Sequence, residues 1–130
     1  MPIPALGAVL MALGVLCGAF GAHGLEGRVT PERMEAWNTG ALYHLVNAVG
    51  LLAVAGLCER SPERVSRAAI LLLVAGILVF SGSLYLLVLL DMGWLGAITP
   101  LGGISLVVAW LWIGLGEVFG KRTGSSKTTQ

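Results

Sequence analysis

Residues 68–90 read AAILLLVAGILVFSGSLYLLVLL, an unbroken apolar run with no Asp, Glu, Lys or Arg. A helix needs about 20 such residues to cross the hydrocarbon core of a bilayer. Nothing in the run alternates in polarity, as a strand of a spanning barrel would. Three further runs flank it: residues 4–22, 37–57 and 95–119. The first has no charge, the second is uncharged apart from His44 and also holds Asn38 and Asn47, and the fourth carries Glu117 near its end. The composition agrees, with 56% hydrophobic and 12% charged residues. A water-soluble domain carries about 25% charged residues. The expected fold is all-α: an integral membrane four-helix bundle formed by residues 1–120, with a polar, disordered tail over 121–130.

Three Ser/Thr-Pro pairs punctuate the runs: Thr30-Pro31, Ser61-Pro62 and Thr99-Pro100. A hydroxyl can accept from the free N–H groups of a first helical turn, and proline fits the position after the cap. Helix 2 is therefore expected to start at Pro31 and helix 3 at Pro62. Helix 4 has two readings, one starting at Pro100 and one starting near Trp94 with a kink at Pro100. The first run lacks the basic segment of a signal peptide and is read as a retained helix. Cys17 and Cys58 lie in or beside apolar runs and read as buried small side chains.

Lys and Arg set the expected orientation. The end holding the N-terminus, the loop between helices 2 and 3 and the C-terminus carries Arg60, Arg64, Arg67, Lys121, Arg122 and Lys127. The opposite end carries Arg28 and Arg33. Both termini are expected in the cytoplasm, and the protein in a bacterial cytoplasmic membrane. Packing between helices in lipid needs close approach. Gly7, Gly14, Gly18 and Ala22 are expected to form the packing stripe of helix 1, and Gly102, Gly103, Ala109, Gly114 and Gly116 to do the same in helix 4. Trp37 and Trp94 suit the outer membrane interface, and at least one of Trp110 and Trp112 is expected to face lipid.

The uncharged polar residues gather in one half. His44 lies seven residues below Trp37, about 10 Å in from the outer surface at 1.5 Å per residue. Asn47 is one turn deeper on the same face. His23 ends helix 1. Ser81, Ser83 and Tyr85 fall in the outer half of helix 3, and Asp91 and Thr99 near the outer ends of helices 3 and 4. Together with Tyr43, this gives a candidate polar cluster of His23, Tyr43, His44, Asn47, Ser81, Ser83, Tyr85 and Thr99. Ionisable groups within a membrane segment point to function. Equally, neutral polar side chains bond across helices to hold a bundle. Two histidines are too few for a zinc site, so no cofactor is implied. No phosphate loop, H-E-x-x-H or G-x-S-x-G pattern is present.

Three motifs carry a resemblance. Gly18-Ala19-Phe20-Gly21-Ala22-His23, Phe80-Ser81-Gly82-Ser83-Leu84-Tyr85 and Thr99-Pro100-Leu101-Gly102-Gly103 resemble the YgdD/YwdK-like family of small bacterial membrane proteins. That family is the domain of unknown function numbered four hundred and twenty-three, related to transmembrane protein two hundred and fifty-six. The likeness spans about Gly7 to Trp112. It implies a four-helix membrane protein and supplies no catalytic set, substrate or cofactor. Family members often carry a His where this chain has Asn47, after a Gln or His at the place of His44. The reading is a non-enzymatic accessory or interaction protein, or a binder of lipid or a small ligand. The alternative is a small oligomeric transporter or channel component for protons, metal ions or small solutes. The expected partners are membrane lipids and either a second copy or another membrane protein, with no nucleic acid.

Overall fold

The computed structural model describes residues 1–62 and 64–123, the last four by backbone alone. Four helices result: α1 (Ile3–Phe20), α2 (Pro31–Arg60), α3 (Arg67–Leu89) and α4 (Thr99–Thr123). A π-helical turn, Gly21–Leu25, extends α1, and a 3-10 turn, Gly93–Ala97, precedes α4. All four helices are long and apolar enough to cross a membrane. Of the expected polar tail, residues 124–130 lie outside the described residues.

The caps explain the boundaries. Thr30 Oγ1 accepts from Arg33 N at 3.3 Å, so α2 starts at Pro31 as expected. Helix 3 does not start at Pro62. Instead Arg64 N donates to Ser61 O at 3.1 Å, closing a turn after α2. The turn drops Val65 into the core, and Ser66 becomes the cap, its Oγ accepting from Ala68 N at 3.2 Å. Pro100 sits in the first turn of α4. Its missing N–H therefore leaves no gap in the helix, and the starting reading holds over the kink.

Helices α2 and α3 form the central pair. α1 packs on α2, α4 packs on α3, and α1 and α4 make no close backbone approach. The larger core joins all four helices around Leu10, Leu51, Leu73 and Leu106. A smaller core at the opposite end, called here the distal end, packs Leu25, Trp37, Leu87, Val88 and Leu95.

Small residues recur every seven positions on every helix. They are Gly7, Gly14 and Gly21 on α1 and its extension, and Ala41, Ala48 and Ala55 on α2. On α3 they are Ala69, Gly76 and Ser83, and on α4 Gly102, Ala109 and Gly116. All are buried except Gly116, which is half-buried. A seven-residue period keeps one seam of a helix facing its partner along a supercoiled pair. Without a Cβ, each glycine of the α1 seam admits an α2 side chain: Leu52 at Gly7, Leu45 at Gly14 and Trp37 at Gly21.

This corrects two expectations. Gly18 has no neighbour within 4 Å of a notional Cβ and Ala22 is exposed, so neither belongs to the packing stripe. Trp37 is not an interfacial belt residue. It is 3% exposed and fills the α1–α2 seam, whereas Trp94 is 64% exposed. The seam makes an unequal forecast for two adjacent glycines. A Cβ at Gly14 would stand 2.8 Å from Leu45 Cδ2 and 3.4 Å from His44 Cδ2. Gly14→Val should cost about 1–3 kcal/mol through overpacking, while Gly18→Val should leave thermal unfolding in detergent unchanged. Equal melting of the two variants would contradict the seam.

Candidate functional site

The polar layer lies between the two cores, on α2, α3 and the start of α4. Each position is set by the helix that carries it. His44 and Asn47 share a face of α2, both buried. Ser81 and Ser83 are buried on α3. Thr99 is the first residue of α4.

Hydrogen bonds divide these residues into four groups. Ser81 Oγ donates to Gly40 O at 2.8 Å, joining α3 to α2 where Gly40 lets the backbones come close. Ser83 Oγ donates to Phe80 O at 2.9 Å and meets Thr99 Oγ1 at 2.7 Å. Either hydroxyl can donate in that contact, since Thr99 Oγ1 also has Leu95 O as an acceptor at 3.4 Å, and the pair ties α3 to α4. Asn47 Nδ2 donates to Tyr43 O at 2.8 Å, and Asn47 Oδ1 accepts from Trp110 Nε1 at 2.8 Å. In hydrocarbon an amide left without partners is expensive, and here both ends are satisfied.

His44 is different. Its Nδ1 shares a 3.2 Å hydrogen bond with the Tyr85 hydroxyl, while Nε2 is buried without a partner. The ring edge carrying Cδ2 turns toward Gly14 of α1. His44, Tyr85, Ser81 and Cys17 share the wall of a cavity of about 210 Å³ between α1 and α3.

The remaining predicted residues are placed apart. His23 stands exposed on the π-helical turn and makes no hydrogen bond to the cluster among the described residues. Tyr43 is 45% exposed, its ring 4.6 Å from that of Phe80. Asp91 adopts φ 52°, the left-handed conformation that ends α3, and its carboxylate pairs with Arg33 at 2.9 Å. This pair joins the two distal turns. Its Asp side is 84% exposed, so it contributes little stability. Among the described residues no three His, Cys, Asp or Glu side chains converge as metal ligands.

Sequence reasoning missed Trp110, Gly40 and Ser105 as members of the polar network. Ser105 Oγ donates to Leu72 O at 2.7 Å, a further α4–α3 tie. Trp110 reads as an apolar residue because its one N–H is a minor part of the side chain. The backbones of α2 and α4 do not approach closely, and it is the reach of the Trp110 indole across the gap that brings that N–H to Asn47. Gly40 takes part through its carbonyl, which no residue type announces.

A groove of about 790 Å³ lies between α2 and α4. Tyr43, Asn47, Phe80, Gly103, Ile104 and Trp110 are among its lining residues. The Asn47–Trp110 bond lies within the wall, so the polar group nearest the groove is already partnered. The groove opens on the outer face of the bundle, where Ile104, Val107 and Leu111 are exposed.

Comparison with known proteins places this geometry. The family model described as a protein of unknown function, DUF423, matches residues 17–103, from the end of α1 into the first turns of α4. The chain is 46% identical over 109 residues to the UPF0382 membrane protein YwdK of Bacillus subtilis, covering 83% of this chain and 89% of that one. It is 42% identical over 106 residues to the UPF0382 membrane protein SERP0230 of Staphylococcus epidermidis, covering 82% of this chain and 86% of the relative. For the UPF0382 membrane protein SH2409 of Staphylococcus haemolyticus the identity is 40%, with the same coverage. No solved structure matches the chain. With four spanning helices and relatives of this kind over most of its length, the chain is an integral membrane protein that belongs to the DUF423 family, whose biochemical activity is unknown.

Proposed function

We propose that the protein is a non-catalytic binding subunit of the bacterial cytoplasmic membrane that holds an apolar chain, of a lipid or lipid-like molecule, in the α2–α4 groove. The observation that carries this reading is the groove itself, about 790 Å³ and almost wholly apolar. That volume is within the range of small-molecule sites, about 300–1,000 Å³. The aromatic pair Tyr43 and Phe80 and the indole of Trp110 stiffen its wall. Gly103 keeps it open: a Cβ there would meet Phe80 Cδ2 at 3.6 Å, an ordinary contact, so a larger side chain has room only toward the groove.

Filling the groove tests the reading. Gly103→Leu should melt as the wild type does but retain less co-purified lipid in native mass spectra taken from mild detergent. Undiminished lipid on the folded variant would remove this site. Proton or metal-ion flux through the wild type in liposomes would replace binding by transport, the second class of function expected from the sequence. The polar layer favours binding over transport, because its hydrogen bonds fall into four separate groups and leave only His44 Nε2 buried without a partner among the cluster residues.

A further inference from the structure

A second groove lies at the end holding the chain termini. It encloses about 520 Å³ between the start of α1 and the start of α3. Ile3, Leu6, Ile70 and Leu71 supply its apolar wall, Met1 and Pro2 also line it, and Arg67 is the charged side chain among the lining residues. The late start of α3 creates this arrangement. Were Pro62 the first helical residue, the turn before Val65 would not form. Because Ser66 caps instead, Arg67 becomes the first residue of α3 and stands exposed beside α1. We infer that this groove is a site for one anionic phospholipid, its phosphate on Arg67 and the upper part of an acyl chain along Ile3, Leu6 and Leu71.

Charge and shape favour that occupant independently. The two ends of the bundle differ in sign. Among the described side chains the terminal end carries Arg60, Arg64 and Arg67 against Glu59 and Glu117, and the distal end has Arg28 and Arg33 against Glu26, Glu32, Glu35 and Asp91. An anionic head group is therefore drawn to the end where this groove opens. A guanidinium offers a planar fork of N–H donors that matches phosphate oxygens in pairs. The apolar trough below it suits a chain of methylenes and offers nothing to a free phosphate. The inference concerns a groove separate from the α2–α4 groove and stands without it.

The test uses the full chain in nanodiscs of mixed phosphatidylglycerol and phosphatidylcholine, with retained lipid counted by native mass spectrometry. The wild type should enrich phosphatidylglycerol. Arg67→Gln should reduce that enrichment about fivefold, the equivalent of about 1 kcal/mol for one basic residue at the membrane surface. Its thermal unfolding in neutral detergent should match the wild type, since Arg67 is exposed. Arg60→Gln, at the same end but outside the groove, should keep the enrichment. Millimolar inorganic phosphate should not displace the lipid. Full enrichment in Arg67→Gln would overturn the site. Equal losses in both variants would overturn it as well, by reducing the effect to general surface charge. Displacement by inorganic phosphate would overturn the phospholipid as occupant. Neither variant touches the α2–α4 groove, so failure here is distinguishable from failure there.

Discussion

Gly102→Val should abolish the native packing of α3 against α4. At Gly102 the two helices touch backbone to backbone: a Cβ would overlap the Phe80 backbone nitrogen and stand 2.7 Å from Phe80 Cα. A side-chain neighbour can rotate away, but a helical backbone can yield only by moving the whole helix. Overpacking a core typically costs about 1–3 kcal/mol and occasionally more, and the rigid partner puts this site at the top of that range or above it. The consequence reaches the polar layer, because the Ser83–Thr99 bond lies one turn away and spans the same pair of helices. Thermal unfolding of the purified protein in detergent checks the forecast. Gly114→Ala is the control, with nothing within 4 Å of a notional Cβ, and surface changes of that kind stay within about 0.5 kcal/mol. A Gly102→Val protein that melts with the wild type would mean that α3 and α4 do not meet at this point.

The second large effect is expected at Trp37. Its indole lies on Gly21, 4.6 Å from the Tyr85 ring and 5.6 Å from the Phe20 ring. Its Nε1 donates to Cys17 O at 2.8 Å, just before the π-helical turn. One side chain thus joins α1 to α2 and α3 at the distal end. Trp37→Ala should cost about 3–5 kcal/mol, the usual loss for emptying a buried aromatic site. Trp37→Phe keeps most of the packing and should cost less, with about 1 kcal/mol assigned to the lost hydrogen bond. Trp94→Ala should be close to neutral because that ring is largely exposed. Similar melting of Trp37→Ala and Trp94→Ala would contradict the docking of α1 described above.

Both expectations depend on features that differ in how legible they were. Gly102 was readable as a small residue suited to close packing, but its partner Phe80 was not. Trp37 was read as an interfacial tryptophan because its position at the head of an apolar run is where such residues gather. Its burial follows from Gly21, sixteen positions earlier, whose missing side chain makes room for the ring. The stripe expected on helix 1 continues from Gly14 to Gly18 and Ala22 in steps of four, whereas the observed seam runs through Gly7, Gly14 and Gly21 in steps of seven. A single helix displays both spacings on nearly the same face, and only the partner selects between them. His23 was grouped with His44 by depth alone. The π-helical turn rotates that end of α1, and His23 stands exposed upon it.

Sequence by itself determined the membrane setting, the four spans and the start of α2 at Thr30-Pro31. These are local properties, governed by the transfer of apolar side chains into lipid and by the hydrogen-bonding needs of a helix's first turn. Tertiary structure decided that α3 starts after Ser66, that Trp37 is core, that the polar cluster separates into four groups, and where the grooves lie. Each of these depends on which helices are neighbours and how they are turned. Lipid solvates any apolar face equally well, so hydropathy cannot choose the faces that meet. The choice falls to shape, through small residues repeating at seven and the large side chains received opposite them.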